Sequence, residues 1–184
     1  MTPQMYHIQM FSVHGLLRAE NMQLGHDADT GGQIKYVVEL CNALSQFENV
    51  KQVELFTRLI HDKAISEDYA RPVERVNDKF SIVRIQCGGK KYIRKEMIWP
   101  HLDEYVDKTI KYIKRQNAIS DIVHGHYPDG GYVAMQLAEI FGTPFVYTGH
   151  SLGRSKLAQL INEGMKEKDI RKKYKIDYRI QMEE

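Results

Sequence analysis

Short strand-forming runs alternate along this chain with longer amphipathic segments, and that alternation narrows the possible folds more than any other feature. The runs YHIQMFS at 6–12, VELFTRLI at 53–60, FSIVRIQ at 80–86, DIVHGHY at 121–127 and PFVYTGH at 144–150 read as strands. Between them, Gly31 to Phe47 sets Ile34, Val37, Val38, Leu40, Cys41 and Leu44 at three- and four-residue steps, which predicts a helix. Residues 96–116 repeat the pattern with Ile98, Leu102, Tyr105, Val106, Ile110 and Ile113, and Pro100 suits the first turn. Tyr132 to Phe141 predicts a third helix, closed by Gly142 and Pro144. Strands that alternate with helices pair in parallel through right-handed crossovers. The expected fold is α/β, a doubly wound Rossmann-like parallel sheet.

At 184 residues the chain fits a single domain spanning 1–184. Its 42% apolar and 27% charged residues can build a core. Lys and Arg number 26 against 24 Asp and Glu, and a net charge of +2 argues against a nucleic-acid partner. No apolar run reaches the roughly 18 residues of a membrane span, and the opening MTPQMYHIQMFSVHG does not resemble a secretory leader. Two cysteines, Cys41 and Cys87, form no disulfide framework and suit a reducing, cytoplasmic compartment. Residues 151–184 are the basic part, with nine cations against six acids and the run Arg171-Lys172-Lys173-Tyr174-Lys175. That run reads either as a solvated helix face or as a surface that meets an anion. The closing DYRIQMEE is helical in character with no stop residue, as though the chain were cut within a helix before a further domain.

In a doubly wound sheet, ligands bind beyond the carboxyl ends of the strands, where loops meet helix N-termini. Four loops fall there: DADTGGQ, CGGKKYIRKE, HYPDGG and TGHSLG. Gly31 and Gly32 open the first helix, where bare backbone N–H groups attract an anion such as phosphate. The segment is not G-x-G-x-x-G, which disfavours a nicotinamide cofactor. Lys90, Lys91, Arg94 and Lys95 lie within six residues and serve either solubility or phosphate capture. His124 and His126 share one strand face and, with Asp129, invite a metal reading, but Tyr127-Pro128 turns the chain away, so no third ligand of the right geometry follows from the spacing and no metal is expected. His126 reads as a hydrogen-bonded loop residue and His124 as core-facing. GHSLG at 149–153 fits the nucleophile elbow of an α/β-hydrolase with Ser151 as nucleophile, yet no histidine follows it to serve as base.

The segments HIQMFSVHGLLR, DADTGGQIKYVVEL, KKYIRKEMIWPHLDEYVD, HGHYPDGGY, TGHSLGRSKL and RIQMEE, taken in order, resemble the acceptor-side half of retaining, sucrose-forming glycosyltransferases of the sucrose-phosphate synthase group. Sucrose synthases share DTGGQ and the closing RI-x-x-EE, whereas KYIRKEMIWP with GHSLGRSK is more similar to the phosphate synthases. The resemblance implies the N-terminal half of a GT-B enzyme whose second domain holds most of the nucleotide sugar. Glucose would move from UDP-glucose, the donor substrate, to fructose 6-phosphate, with no cofactor. It further implies that Gly31 and Gly32 approach the donor phosphate and that Gln33 bonds the acceptor. Lys95, Lys156 and Arg179 would hold the 6-phosphate, Tyr127 and Ser151 the sugar, and His150 would be the catalytic group beside the transferred glucose. Sucrose synthase-like and mannosylfructose-phosphate synthase-like transfer are the alternatives within the same group. In this frame Ser151 is a ligand-binding hydroxyl.

Overall fold

The computed structural model describes residues 4–23 and 31–184. Six strands form one sheet: β1 (Tyr6–Phe11), β2 (Val50–Arg58), β3 (Val73–Arg75), β4 (Phe80–Ile85), β5 (Ile122–His126) and β6 (Phe145–Thr148). Their order is β3-β4-β2-β1-β5-β6, and every pairing is parallel except that of β3 with β4. The chain thus runs outward from β1 through β2 to β4, then crosses back to β5 and β6 on the other side. The gap between the carboxyl ends of β1 and β5 is the point where the winding reverses and ligands of such sheets bind.

Helices cover both faces. α1 (Gly32–Ser45) packs Ile34, Val37, Val38 and Cys41 against Ile8, Met10, Val53, Leu55, Phe80 and Ile82. α2 (Leu102–Gln116) and α3 (Tyr127–Phe141) close the opposite face over Phe11, Phe56, Val83 and Ile85. The two sets come from alternate positions of the same strands, so the period-2 pattern sends one half of each strand to each layer. Full burial of each such side chain contributes about 1.5–3 kcal/mol. Beyond β6 follow α4 (Gly153–Asn162), α5 (Glu167–Tyr174) and α6 (Ile176–Glu183). Among the described residues, no helix is long and apolar enough to cross a membrane.

The fold is the α/β sheet expected, with four corrections. The three-residue β3 adds an antiparallel edge that is too short for its pattern to register. The second strand runs over 50–58 rather than 53–60. The helix expected over 96–116 begins only at Leu102, after two single turns of 3-10 helix at Lys95–Met97 and Trp99–His101. The third helix starts at Tyr127, not Tyr132, so HYPDGG is not a loop and His126 is the last residue of β5. Pro128 sits in the first helical turn, where its missing N–H costs nothing. Gly130 is there because a Cβ would lie 2.2 Å from the Phe11 carbonyl oxygen, and one on Gly125 would lie 2.6 Å from the Gly130 oxygen. The helix N-terminus therefore presses directly on the ends of β1 and β5.

Candidate functional site

The abrupt passage from β5 into α3 turns at Tyr127, a buried residue with φ +63°. Left-handed backbone is costly for an aromatic residue and persists only where the surroundings enforce it. Groups from separate segments meet the Tyr127 ring. Arg179 of α6 places its guanidinium 4.5 Å from the centroid, and the Lys95 ammonium lies 5.3 Å away. The His14 ring, from the segment after β1, stands edge-on at 4.9 Å. His14 is fixed in turn by Asp129, whose carboxylate lies 2.7 Å from Nδ1 and accepts the backbone N–H at 3.1 Å; both residues are buried.

Lys95 is delivered by the loop after β4, and a buried arginine shapes that loop. Arg58 donates to the carbonyls of Cys87 at 2.8 Å, Gly89 at 3.0 Å and Lys91 at 2.7 Å, so its cation is neutralised by loop dipoles. Burial nevertheless lowers its pKa below the ordinary arginine value. Of the four clustered cations, Arg94 turns to Glu96 at 3.6 Å and Lys90 and Lys91 are exposed, whereas Lys95 faces Tyr127.

The loop after β6 completes the group. Arg179 donates to both the carbonyl and the hydroxyl of Ser151, the latter at 2.9 Å. Its Nε pairs with Glu183 at 2.9 Å, and the other oxygen of Glu183 accepts the Gly153 N–H at 2.6 Å. α6 thus clamps the loop that carries His150 and Ser151. The left-handed residue of that loop is His150, at φ +57°, not Ser151. Ser151 bonds to a guanidinium, which cannot take its proton, and the His150 ring nitrogen Nε2 is engaged by His126 at 3.0 Å. The arrangement gives no support to a serine nucleophile.

Behind His150 stands a row of histidines. His124 and His126 share one face of β5, as expected for alternate strand residues, with ring centroids 4.1 Å apart. His124 is bonded to Thr148 at 2.8 Å rather than facing the core, and His126 is fully buried in the strand rather than in a loop. Burial, then the neighbouring His150, brings the His124 pKa down to about 4. Burial, then His124 and His150, brings His126 down to about 3. His150 is lowered as well, by burial and then by His14. Tyr36 of α1 stands edge-on to His150 at 5.4 Å and to His126 at 6.3 Å.

Gly31 caps α1, Gly32 begins it, and both are exposed. Neither has a positive φ, and a Cβ on either would meet nothing within 4 Å, so packing does not demand glycine there. The helix start has no side-chain cap and no acidic residue in its first turn. Gln33, half-buried, has an amide nitrogen without a hydrogen-bond partner among the described residues. Asp29 and Thr30 of the same motif lie outside the described residues.

Lys95, Tyr127, Ser151 and Arg179 are therefore brought together from four separate segments. Lys156 lies one turn into α4 with its ammonium 4.3 Å from the Tyr174 ring of α5. The basic run at 171–175 belongs to α5 and its cap, where Arg171 pairs with Glu167 and Asp177. Among the described residues no group of three His, Cys, Asp or Glu could hold a metal ion. Sequence reasoning missed His14, Tyr36, Arg58 and Glu183. The spacing of His14 after the first strand and the closing RI-x-x-EE, which contains Glu183, are the signals that could have found two of them.

The chain matches the family described as "Sucrose synthase first GT-B domain" over residues 1–182. It is 44% identical to sucrose-phosphate synthase 4 of Arabidopsis thaliana and 42% identical to a sucrose-phosphate synthase of Zea mays, each over 97% of its own length. It spans 19% of the length of each of those relatives. The solved structure of a sucrose-phosphate synthase from Thermosynechococcus elongatus superposes with a TM-score of 0.69 at 28% identity, covering 83% of this chain and 35% of that one. With its parallel sheet, its reversal point between β1 and β5 and its match across nearly every residue, the chain belongs to the sucrose synthase first GT-B domain family, on the sucrose-phosphate synthase side.

Proposed function

We propose that this domain binds the acceptor in a retaining transfer of glucose from UDP-glucose to fructose 6-phosphate, giving sucrose 6-phosphate, as part of a two-domain GT-B enzyme. The single observation that carries this reading is the convergence of Lys95 and Arg179 on Tyr127, beside the Ser151 hydroxyl. A lysine and an arginine from distant segments suit a phosphate better than a neutral sugar, with Glu183 as the counter-ion that orients the arginine. On this reading Lys156, which lies 4.3 Å from the Tyr174 ring, would swing from that ring to reach the phosphate as a third cation, and Ser151, Tyr127 and Gln33 hold the sugar. The open N-terminus of α1 at Gly31 and Gly32 offers N–H groups to the donor phosphate. His150 contacts the transferred glucose. Catalysis on this reading is positioning plus stabilisation of departing UDP, with attack on the same face of the sugar and no cofactor. Two free, buried cysteines suit the cytoplasm.

Calorimetric titration with fructose 6-phosphate and fructose tests the reading. The phosphorylated sugar should bind more tightly. Lys95→Ala, which removes a charge-assisted contact worth roughly 1.5–3 kcal/mol, should weaken it about 10- to 100-fold and leave fructose nearly unaffected. Equal affinity for the two sugars in the unaltered chain would overturn the phosphate site and favour a sucrose synthase-like acceptor.

A further inference from the structure

The pair His126–His150 specifies a proton position. Their facing nitrogens, Nδ1 of His126 and Nε2 of His150, are 3.0 Å apart, so one must carry a proton and the other a lone pair. Nε2 of His126 is fully enclosed and has no partner among the described residues. If the His126 proton sat there, a buried N–H would lose its hydrogen bond to water with nothing in return. Orphaned buried N–H groups are rarer than orphaned acceptors. The proton of His126 therefore belongs on Nδ1. We propose that His126 is a positioning residue that donates Nδ1–H to Nε2 of His150 and so holds His150 as its Nδ1–H tautomer, with that N–H as its outward donor.

The surroundings are consistent with this fixed geometry. His124 packs on the His126 ring and is itself tied to Thr148, so the donor ring is held in plane from behind. Tyr36 from α1 stands edge-on to both rings, and His14 from the β1 side acts electrostatically on His150. The left-handed backbone at His150 is strained, and a bond to a buried partner helps to offset that strain. A histidine fixed in this way can donate to a sugar hydroxyl or a phosphate oxygen, but its outward nitrogen cannot accept a proton. The meaning of that donor for glycosyl transfer rests on the function proposed above; the tautomer does not.

Nitrogen-15 NMR of the labelled 184-residue chain at neutral pH decides it. The expected spectrum shows His150 with a protonated Nδ1 and a bare Nε2, and a nitrogen–nitrogen coupling across the hydrogen bond to Nδ1 of His126. His126→Leu should return His150 to the mixture of free histidine, in which Nε2–H dominates. His126→Asn, which keeps an amide N–H near the place of Nδ1, should restore the Nδ1–H form. A protonated Nε2 on His150 in the unaltered chain, or the absence of the coupling, overturns the proposal even if the Leu variant fails to fold. A chain with this tautomer but no affinity for sugar phosphates would instead sink the proposed function alone.

Discussion

Acidification should destabilise this domain through His126. The side chain is 0% exposed and its pKa is brought down to about 3, against an ordinary histidine value near 6.5. Below about pH 6.5 the unfolded chain therefore takes up a proton that the folded chain refuses. Stability from this residue is complete above that pH and is lost, as pH falls toward the folded value, at about 1.4 kcal/mol per pH unit. Between about pH 6.5 and about pH 5 the loss integrates to about 1.6 kcal/mol, since the first half-unit is only partly titrated. This is a large share of a net stability of roughly 5–15 kcal/mol. His124 acts with the same sign but is half-buried, and solvent screening reduces its part. Urea unfolding at several pH values, for the unaltered chain and for His126→Asn, isolates the effect of His126 and the rings it touches, because the difference between the two cancels titrations elsewhere. The two stability curves should converge by about 1.6 kcal/mol as the pH falls across that window. Parallel curves would refute the reasoning, for they would mean that His126 binds its proton equally in both states.

Two further outcomes follow from the packing around the site. Gly130→Ala should destabilise the fold by about 3 kcal/mol or more in urea, because the new Cβ meets the backbone oxygen of Phe11 at 2.2 Å and neither element can yield cheaply; a cost below about 1 kcal/mol would show that α3 can shift. Glu183→Ala should release α6 locally, since it strips the partner from a guanidinium that is 3% exposed and the acceptor from the Gly153 N–H. Hydrogen exchange would then report lost protection at Gly153 with the central strands unchanged, and unchanged protection at Gly153 would contradict the clamp.

Where sequence reasoning failed, local rules were overridden by tertiary ones. Tyr127-Pro128-Asp129-Gly130-Gly131 has the composition of a turn, and by propensity two glycines should not begin a helix. They do so because α3 must press its first turn onto β1, a contact made across more than a hundred residues of chain. Separation along the chain, 115 residues for His14 with Asp129 and 29 for Arg58 with Cys87, likewise hid both pairings, for neither has a signature at fixed spacing. His126 reads as a loop histidine in sequence terms because the apolar pattern begins the next helix at Tyr132, five residues after its actual start at Tyr127.

The sequence by itself determined the layers. The alternation of strand and helix patterns, the period-2 burial of β1, β2 and β4, and the apolar stripe of α1 are local consequences of side-chain geometry, and they suffice to specify a doubly wound sheet and the edge at which a ligand would sit. Gly31, Gly32, Lys95 and Ser151 fall in the loops at that edge, whereas Tyr127 and His150 are singled out only by the family resemblance. What only the tertiary structure decided is which of them touch: that Lys95 and Arg179 share the Tyr127 ring, that Lys156 lies against Tyr174, and that His150 leans on a buried histidine. Backbone periodicity fixes which face a residue occupies. Only the packing of distant segments removes water from between two side chains, and that desolvation is what turns a shared edge into a hydrogen bond, an ion pair or a shifted pKa.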